Sequence, residues 1–349
     1  MNDVVTIGSA TVDIFVETDD ARIVSVATKD ASKNFMAYPY GSKMEIDDFS
    51  VRPGGGGVNT GMNFANLGLK TSIICKTGDD FPSDMICKNF KENNVDTSNI
   101  IKSKKYSTGF SVILTSFEGD RTVLAHRGAN AKIKADDIDF DAIKKSKWLY
   151  LAPLNGDTNK IIDKLSDFAE ENGVNLAINL GTTSIKMGKD HLQKVLKTAE
   201  VIVMNKEEAV MLSRHEIRPD TKTEKFSQEF IHPDLKEILL KTQHLSKGIV
   251  LITDGKNGVY ATEGKNIYKC PEFPAKVVST LGAGDSFAST FVATIEKYNG
   301  DIKRALEYAS VNAASVVSHF GAQEGFLTFN EIEKRLKETP DFSAQIIKI

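Results

Sequence analysis

The second half of the chain alternates short apolar runs with longer amphipathic segments. The apolar runs predict strands over 148–151, 174–179, 201–204 and 249–253. The amphipathic segments predict helices over 158–172, 189–198, 284–297, 301–319 and 330–337, and another helix beginning at Lys206. Gly173 is the expected stop of the first of these helices, and Asn330 with Glu333 suggests a capping box at the last. Repeated strand–helix units with short links imply right-handed crossovers and an α/β fold with a doubly wound, mainly parallel sheet.

The first 130 residues follow a less regular pattern. Residues 4–7 and 12–16 are apolar and suggest a first core strand leading to a polar edge, followed by a glycine loop, a helix ending at Leu67, a strand over 69–75 and a helix over 83–93. Residues 109–115 and 121–125 predict a hairpin with its turn at 116–120. The polar segment 17–50 holds only short possible strands. Long weakly structured segments of this kind are usually functional loops, so we expect a small β-rich lid formed by about 14–50 and 108–127.

Composition narrows the classes of function. The 349 residues are 41% apolar and 26% charged, as in ordinary globular proteins, with 44 Lys and Arg against 47 Asp and Glu. No basic block favours nucleic-acid binding, and no apolar stretch approaches the roughly 20 residues that span a membrane, so we expect a cytoplasmic protein. Three cysteines without a CxxC spacing and six scattered histidines argue against a disulfide framework or a zinc site. Segment 214–233 is polar and is interpreted as a surface insertion without chemistry.

The most informative motif is the run Ser279-Thr280-Leu281-Gly282-Ala283-Gly284-Asp285 at the start of a predicted helix. Glycines there let backbone N–H groups approach a phosphate, and the helix adds its positive dipole end. Asp285 beside such an anion site suits a base acting on a neighbouring hydroxyl, which suggests phosphoryl transfer. The alternative is a simple turn with a carboxylate that complements the helix dipole.

Four further motifs lie at predicted strand ends, where doubly wound sheets bind their ligands. They are Asp13, the loop Gly54 to Asn59, Asn205-Lys206-Glu207-Glu208, and Thr253-Asp254-Gly255. The anion site at Gly282 to Asp285 is called the cradle below. Together with it, the four motifs resemble the ribokinase-like, or PfkB, family of carbohydrate kinases. The resemblance runs in order from Gly8 to about Phe326. It implies a single kinase domain over 1–349 that uses ATP and Mg²⁺ to phosphorylate a hydroxymethyl group of a small sugar of the ribose, fructose or 2-keto-3-deoxygluconate type.

The resemblance also implies roles for residues around the acceptor. Asp285 matches the catalytic base, and the amides around Gly282, Ala283 and Gly284 match the anion hole for the transferring phosphoryl group. Asp13 matches an acid that binds sugar hydroxyls. The remaining acceptor residues match a glycine-rich substrate loop and are Gly55, Gly57 and Asn59. By itself, Asp13 would be interpreted as a solvated charge at a strand end.

Further roles concern the nucleotide. Asn205 and Glu208 match a motif that holds the water shell of Mg²⁺, although Glu208 alone would be only a first-turn helix acid. Thr253 and Gly255 match a strand end that contacts the nucleotide. Asn312 lies on a helix that flanks the adenine in relatives, and packing is the alternative role.

Two positions depart from the family pattern. Ser279 stands where relatives commonly have an Asp that helps bind a stimulating monovalent cation, so dependence on such a cation is doubtful. Gly56 stands where ribokinases proper usually have Lys, so a ribokinase identity does not follow. Because the lid often pairs two subunits in relatives, the resemblance implies a homodimer.

Other functions remain open at this stage. A nucleoside kinase of the adenosine type uses the same fold and base, and Phe35, Tyr38 and Tyr40 in the polar segment are aromatic residues able to stack on a purine. A non-catalytic sugar-binding relative would be expected to have lost the base or the cradle, and both are present. A dinucleotide-binding dehydrogenase is disfavoured, because Gly54 to Gly57 lacks the G-x-G-x-x-G register after a first strand.

Overall fold

The structure is a computed structural model that describes residues 1–18, 20–27, 32–115, 121–216 and 232–347. Its strands are β1 (Asn2–Ile7), β2 (Thr11–Glu17), β3 (Arg22–Ala27), β4 (Ser32–Ala37), β5 (Asp48–Gly54), β6 (Thr71–Ile74), β7 (Lys76–Gly78), β8 (Ile101–Ser103), β9 (Gly109–Thr115), β10 (Arg121–His126), β11 (Ser146–Leu151), β12 (Asn175–Asn179), β13 (Val201–Asn205), β14 (Ile249–Thr253), β15 (Val259–Glu263), β16 (Asn266–Cys270) and β17 (Gln345–Ile347).

The α-helices are α1 (Gly56–Asn66), α2 (Phe81–Glu92), α3 (Phe140–Lys144), α4 (Ile162–Asn172), α5 (Thr182–Lys186), α6 (Lys189–Thr198), α7 (Lys206–Ser213), α8 (Pro233–Leu245), α9 (Ala283–Lys297), α10 (Ile302–Val317) and α11 (Phe329–Glu338). In the described part of the chain, no helix is long and apolar enough to cross a membrane. The predicted turn at 116–120 and most of the predicted insertion at 214–233 lie outside the described residues.

A nine-stranded sheet forms the base of the molecule in the order β17-β16-β15-β14-β13-β12-β11-β1-β6. The strands from β6 to β14 in this order pair in parallel, and β15, β16 and β17 extend the sheet antiparallel at one edge. Apolar side chains on one face, such as Leu251, belong to the same core as Phe291 of α9. Side chains on the other face, such as Leu149, belong to the same core as Leu165 of α4. The prediction of a mainly parallel, doubly wound α/β sheet is confirmed.

A smaller four-stranded sheet, in the order β10-β9-β2-β5, lies outside the large sheet. β9 and β10 form the predicted antiparallel hairpin, while β2 pairs in parallel with β9. The interpretation of residues 12–16 as part of a first core strand is therefore wrong. Between β1 and β2 the chain passes so close to the glycine loop that a Cβ on Gly8 would lie 2.7 Å from the Gly57 nitrogen. β3 and β4 form a separate two-stranded sheet.

Two helix ends test local predictions. Gly173 follows α4 in the left-handed conformation (φ +66°), so the predicted stop is confirmed. The capping box predicted for Asn330 and Glu333 is wrong, because α11 begins at Phe329. Thr328 is the N-cap residue, and the Glu331 carboxylate accepts a hydrogen bond of 2.8 Å from the Thr328 backbone N–H.

Candidate active site

Two cavities meet at the N-terminus of α9. The first has a volume of about 450 Å³ and is lined by Thr253, Gly255, Ala283 and Gly284, with apolar side chains including Phe287. The second has a volume of about 500 Å³, and its lining includes Asp13, Gly55, Asn59, Gly282 and Asp285. Because successive residues of one helix terminus line both cavities, a group bound at this terminus is accessible from either side.

The cradle at this terminus is built from backbone. Gly282 is the N-cap residue of α9 and has φ +77°, a conformation that glycine adopts at little cost. A Cβ on Gly282 would also collide with the carbonyl oxygen of Ala322. No side chain caps the helix. Its first backbone hydrogen bond runs from the Ser286 N–H to the Gly282 carbonyl oxygen at 2.8 Å. The amides of the first turn are therefore available to an anion, and the helix dipole favours negative charge there.

Asp285 lies in the first turn of α9, beside these amides. The Asn59 side-chain amide donates a 2.8 Å hydrogen bond to its Oδ2, and a Cβ on Gly56 would lie 3.6 Å from its Oδ1. Burial raises the pKa of Asp285, the Asn59 hydrogen bond lowers it, and the negative charge of Asp13 raises it further. The net shift is upward from the ordinary value of 3.8. A carboxylate of raised pKa is a better proton acceptor than an exposed aspartate.

Asn59 is held in place by a residue that no sequence motif marked. The side-chain amide of Gln323 donates to Asn59 Oδ1 at 3.2 Å and to the carbonyl oxygen of Pro53 at 2.9 Å. These bonds orient the Asn59 amide so that its NH₂ group faces Asp285. Gln323 follows α10 in a loop without a recognisable pattern, so no local signal marks it.

Asp13 is placed by the register of the small sheet. β2 aligns Asp13 with Ser111 on β9, and the Asp13 Oδ1 accepts hydrogen bonds from the hydroxyls of Ser111 and of Thr11, the latter at 3.1 Å. A Cβ on Gly54 of β5 would collide with the Asp13 Oδ2. The missing side chain at Gly54 therefore leaves room for the carboxylate. Burial raises the pKa of Asp13, and the two hydroxyl hydrogen bonds lower it. Asp13 and Asp285 thus line the same cavity.

Asn205 and Glu208 form a reciprocal capping box at the start of α7. The Asn205 side-chain oxygen accepts from the Glu208 N–H at 2.8 Å, and the Glu208 Oε2 accepts from the Asn205 N–H at 3.0 Å. Thr182 donates to the other Glu208 oxygen at 3.1 Å, and burial raises the pKa of this carboxyl. Glu208 lines the second cavity, whereas Asn205 lines neither of the two.

The oxygen ligands available at this site suit a Mg²⁺ ion that is held largely by water and phosphates. Mg²⁺ prefers hard oxygen ligands and gives up its waters reluctantly, and Glu208 supplies one buried carboxylate in the cavity that Gly282 and Asp285 also line. In the described part of the chain, no group of three or more His, Cys, Asp or Glu residues is arranged to hold a metal ion. An all-protein cage is not needed for such a site.

Asn312 does not reach the cavity that it was predicted to line. Its side chain is fully buried, donates to Asn63 Oδ1 at 3.0 Å and to Thr290 Oγ1 at 2.8 Å, and accepts from the Leu327 N–H at 2.9 Å. The residues of α10 that line the first cavity are Ser310, Ala313, Ala314 and Val317. Asn312 therefore joins α1, α9 and α10 in a buried polar network, which is the packing alternative.

The second cavity also contains residues that sequence reasoning missed. His126 ends β10, Arg127 follows it, and Thr182 and Thr183 begin α5. The sequence placed residues 108–127 in the lid but carried no motif there, so only their position at the end of a predicted hairpin could have marked them.

The large sheet, the small sheet and the two cavities define an α/β protein with a ligand site on each side of one helix N-terminus, and comparisons with known proteins give its family. A model of the pfkB family of carbohydrate kinases matches residues 1–328. A bifunctional ribokinase/ribose-5-phosphate isomerase A of Fructilactobacillus sanfranciscensis is 25% identical over 346 residues, covering 93% of this chain and 61% of that protein. A 5-dehydro-2-deoxygluconokinase of Geobacillus kaustophilus is 27% identical over 312 residues, covering 86% of this chain and 89% of that protein.

A solved structure supports the same fold. The putative ribokinase II of E. coli in complex with ATP and Mg²⁺ superposes with a TM-score of 0.75 at 20% identity, covering 97% of this chain and 100% of that one. The chain belongs to the pfkB family of carbohydrate kinases. The predicted family and enzyme class are thereby confirmed.

Proposed function

We propose that this protein uses ATP and Mg²⁺ to phosphorylate a hydroxymethyl group of a small sugar of the ribose, fructose or 2-keto-3-deoxygluconate type. The observation that carries the proposal is the wall shared by the two cavities, where the uncapped amides of α9 and the carboxylate of Asp285 lie side by side. The donor phosphates bind from one cavity, and the acceptor binds from the other.

On the donor side, the first cavity receives the nucleotide between Thr253, Gly255 and the small residues of α10. The backbone N–H groups of Ala283 and Gly284 donate hydrogen bonds to the phosphates, and the same N–H groups stabilise charge that develops on the phosphoryl group during transfer. Mg²⁺, when bound, neutralises charge on the phosphates. Glu208 would hold its water shell.

On the acceptor side, Asp13 accepts hydrogen bonds from sugar hydroxyls, and the glycine loop lets the sugar approach the backbone of Gly55 and Gly57. Asp285 then takes the proton from the attacking hydroxyl, while Asn59 holds the carboxylate in position. Orientation of the two reactants against one another contributes to the rate together with the base and the anion hole.

We further propose that the small sheet, together with the separate pair of strands β3 and β4, is a lid over the acceptor. Phe110 and Val123 on β9 and β10 line the second cavity, so this sheet forms one of its walls. Large apolar side chains of β5 and β10, including Phe49 and Leu124, are exposed. These exposed side chains suit a second copy of the chain, and we expect a homodimer that works in the cytoplasm.

The competing function, a nucleoside kinase, loses its specific support. Phe35, Tyr38 and Tyr40 do not line either of the two cavities, and Tyr40 is fully exposed. A purine stacked on these side chains would therefore lie outside the acceptor cavity.

The proposal is tested with purified protein, ATP and Mg²⁺. ADP release is measured with ribose, fructose, 2-keto-3-deoxygluconate, adenosine and cytidine, and thermal stabilisation is recorded with the same compounds. We expect sugar-dependent ADP release and a phosphorylated sugar detected by mass spectrometry. Release only with a nucleoside would establish the competing function, and no release with any acceptor would contradict the proposal.

A further inference from the structure

Three side-chain amides form a continuous chain of hydrogen bonds that ends on the proposed base. Asn89 of α2 donates to Gln323 Oε1 at 3.2 Å, and Gln323 donates to Asn59 Oδ1 at 3.2 Å. Asn59 donates in turn to Asp285 Oδ2 at 2.8 Å. Gln323 makes a second donor bond of 2.9 Å, to the carbonyl oxygen of Pro53 on β5. Both the NH₂ group and the oxygen of Gln323 are therefore in use.

The direction of this chain is fixed by an atom that can only accept. A backbone carbonyl oxygen has no proton to donate, so the group of Gln323 that meets the Pro53 carbonyl is its NH₂. The same NH₂ reaches Asn59, so the Asn59 atom that meets it is the oxygen, and the NH₂ of Asn59 is left to face Asp285. Gln323 and Pro53 are not among the described residues that line the two cavities. The orientation of Asn59 is thus set from outside the site.

The loop that carries Gln323 is attached to the small sheet. Glu324, the next residue, forms an ion pair with Arg52 of β5. Phe320 packs against Phe15 of β2 with ring centroids 4.8 Å apart, and the Arg52 guanidinium lies 5.8 Å from the Phe320 ring centroid. Contacts on both sides therefore hold the backbone of Gln323, and its amide enters the chain of hydrogen bonds from a fixed position.

The orientation of Asn59 matters because the two forms of Asp285 prefer opposite ends of its amide. The deprotonated carboxylate only accepts hydrogen bonds, so the NH₂ of Asn59 stabilises it. A protonated Asp285 carries an O–H that would donate to the Asn59 oxygen if the amide turned over, and this would stabilise the form that cannot take a proton. Gln323 opposes the turned amide, which would place one NH₂ group against another.

We propose that Gln323 is a positioning residue for the phosphoryl transfer: it prevents the Asn59 amide from turning over and so keeps Asp285 in the deprotonated form that acts as the base. The inference rests on the proposed kinase function. Within the described residues, the Gln323 side chain hydrogen-bonds only to Asn89, Asn59 and the Pro53 carbonyl. Its effect on Asp285 therefore passes through Asn59, which is 4% exposed.

Other charged and titratable groups reach Asp285 from elements of their own. Burial raises the pKa of Asp285 most strongly, the Asn59 hydrogen bond lowers it, and the negative charge of Asp13 on β2 raises it. Burial and the charge of Asp285 raise the pKa of Tyr150 on β11, so this hydroxyl stays neutral. A substitution at Gln323 leaves these groups in place. The further charged or titratable residues described at the cavity, also left in place, are His126, Arg127 and Glu208.

The test measures kcat/KM against pH and, without substrate, the pKa of the Asp285 carboxyl from the infrared bands that Asp285→Asn removes. Gln323→Met keeps the approximate length of the side chain but removes its donors. We expect the acidic limb and the carboxyl pKa both to move upward by about 0.5 to 1 pH unit. Gln243→Met is the matched control and should leave both values unchanged. Gln243 of α8 also donates to two backbone carbonyls, those of Ser246 and Gly248, outside both cavities.

A double substitution separates positioning from a general loss of structure. Adding Gln323→Met to Asn59→Ala should cause no further shift beyond that of Asn59→Ala alone, because Gln323 acts through Asn59. A second full shift in the double variant, or a lower kcat in Gln323→Met with an unmoved acidic limb, would overturn the inference. If Gln323→Met does not fold, Asn89→Ala removes only the donor to Gln323 Oε1 and should shift the limb upward by less than about 0.5 unit. An unmoved limb in that variant would then contradict the inference.

The carboxyl pKa also separates this inference from the proposed kinase function. If no acceptor is phosphorylated but the pKa of Asp285 rises in Gln323→Met, and only when Asn59 is present, the kinase function fails while the control of Asp285 by Gln323 stands. If acceptors are phosphorylated and this pKa is the same in the wild type and Gln323→Met, the positioning role fails alone.

Discussion

The two cavities that meet at α9 differ in what lines them. The first has mostly glycines and small or apolar side chains, including Gly255, Gly258, Val259, Ala313 and Ala314. The second is lined by charged and polar side chains, including Asp13, His126, Arg127, Glu208 and Asp285. A cavity of the first kind binds through shape and backbone amides, and one of the second kind discriminates by charge and hydrogen bonding. Under the proposed assignment, the nucleotide binds where shape and backbone decide, and the acceptor is chosen by side chains of the second cavity such as Asp13.

The largest expected effect on activity is that of substituting Asp285, which lies where the two cavities meet. Asp285→Asn should lower kcat by about 10²–10⁴-fold, because the amide cannot take the proton from the acceptor. ATP affinity, measured by titration calorimetry, should be nearly unchanged. Asp84→Asn is a suitable control, since Asp84 is also a first-turn helix aspartate but lies on α2, outside both cavities. Near-wild-type turnover in Asp285→Asn would refute the assignment of the base.

A change to the cradle should affect catalysis with every acceptor. Gly282→Ala places a Cβ against the Ala322 carbonyl at φ +77°, so the first amides of α9 must shift. We expect kcat to fall by about 100-fold, the effect of losing one donor of an anion hole. Gly173→Ala tests the contribution of backbone strain alone, because Gly173 also has positive φ (+66°) but no atom lies within 4 Å of its added Cβ. If both variants lose activity equally, the cradle assignment is wrong.

A change confined to the acceptor side should leave the donor side unaffected. Asp13→Asn weakens the acceptance of hydrogen bonds from sugar hydroxyls, and we expect the acceptor KM to rise by about tenfold. The KM for ATP in the same preparation is the internal control. Equal increases in both KM values would contradict the assignment of separate nucleotide and acceptor sites to the two cavities.

The smallest effect concerns pH. Asp285 must be deprotonated to act as a base, and its pKa is raised, so kcat/KM should fall as the pH decreases through a value above the ordinary 3.8. Asn59→Ala removes a hydrogen bond that lowers this pKa and should move the acidic limb to higher pH. Asp13→Asn removes a charge that raises it and should move the limb to lower pH. Profiles of kcat/KM against pH that shift in the same direction would contradict this electrostatic coupling.

The sequence predicted the parts of the molecule that depend on local patterns. Apolar runs marked the strands of the large sheet, and Gly282 to Asp285 marked the helix terminus where the cavities meet. It misplaced β2, because residues 12–16 are as apolar as a core strand, whereas the folded chain pairs them with β9 and β5 of the small sheet. It also started α11 too late, since Thr328 forms the cap that Asn330 was expected to form.

The rest of the site depends on contacts between distant parts of the chain. Gln323 orients Asn59 across 264 positions, and Ser111 reaches Asp13 only through the pairing of β2 with β9. One core partner of Asn312, Asn63, lies 249 positions away in sequence, so nothing local separated a packing role from a nucleotide contact. Arg127 belongs to no motif, and its placement in the second cavity emerges only from the folded chain.

The most direct test of the shared wall is a crystal structure with a non-hydrolysable ATP analogue, Mg²⁺ and the preferred acceptor. We expect phosphates on the amides of Ala283 and Gly284 and an acceptor hydroxyl within about 3 Å of an Asp285 carboxylate oxygen. An acceptor bound outside the cavity that contains Asp13 and Asp285, or phosphates bound away from α9, would contradict the proposal of a shared wall.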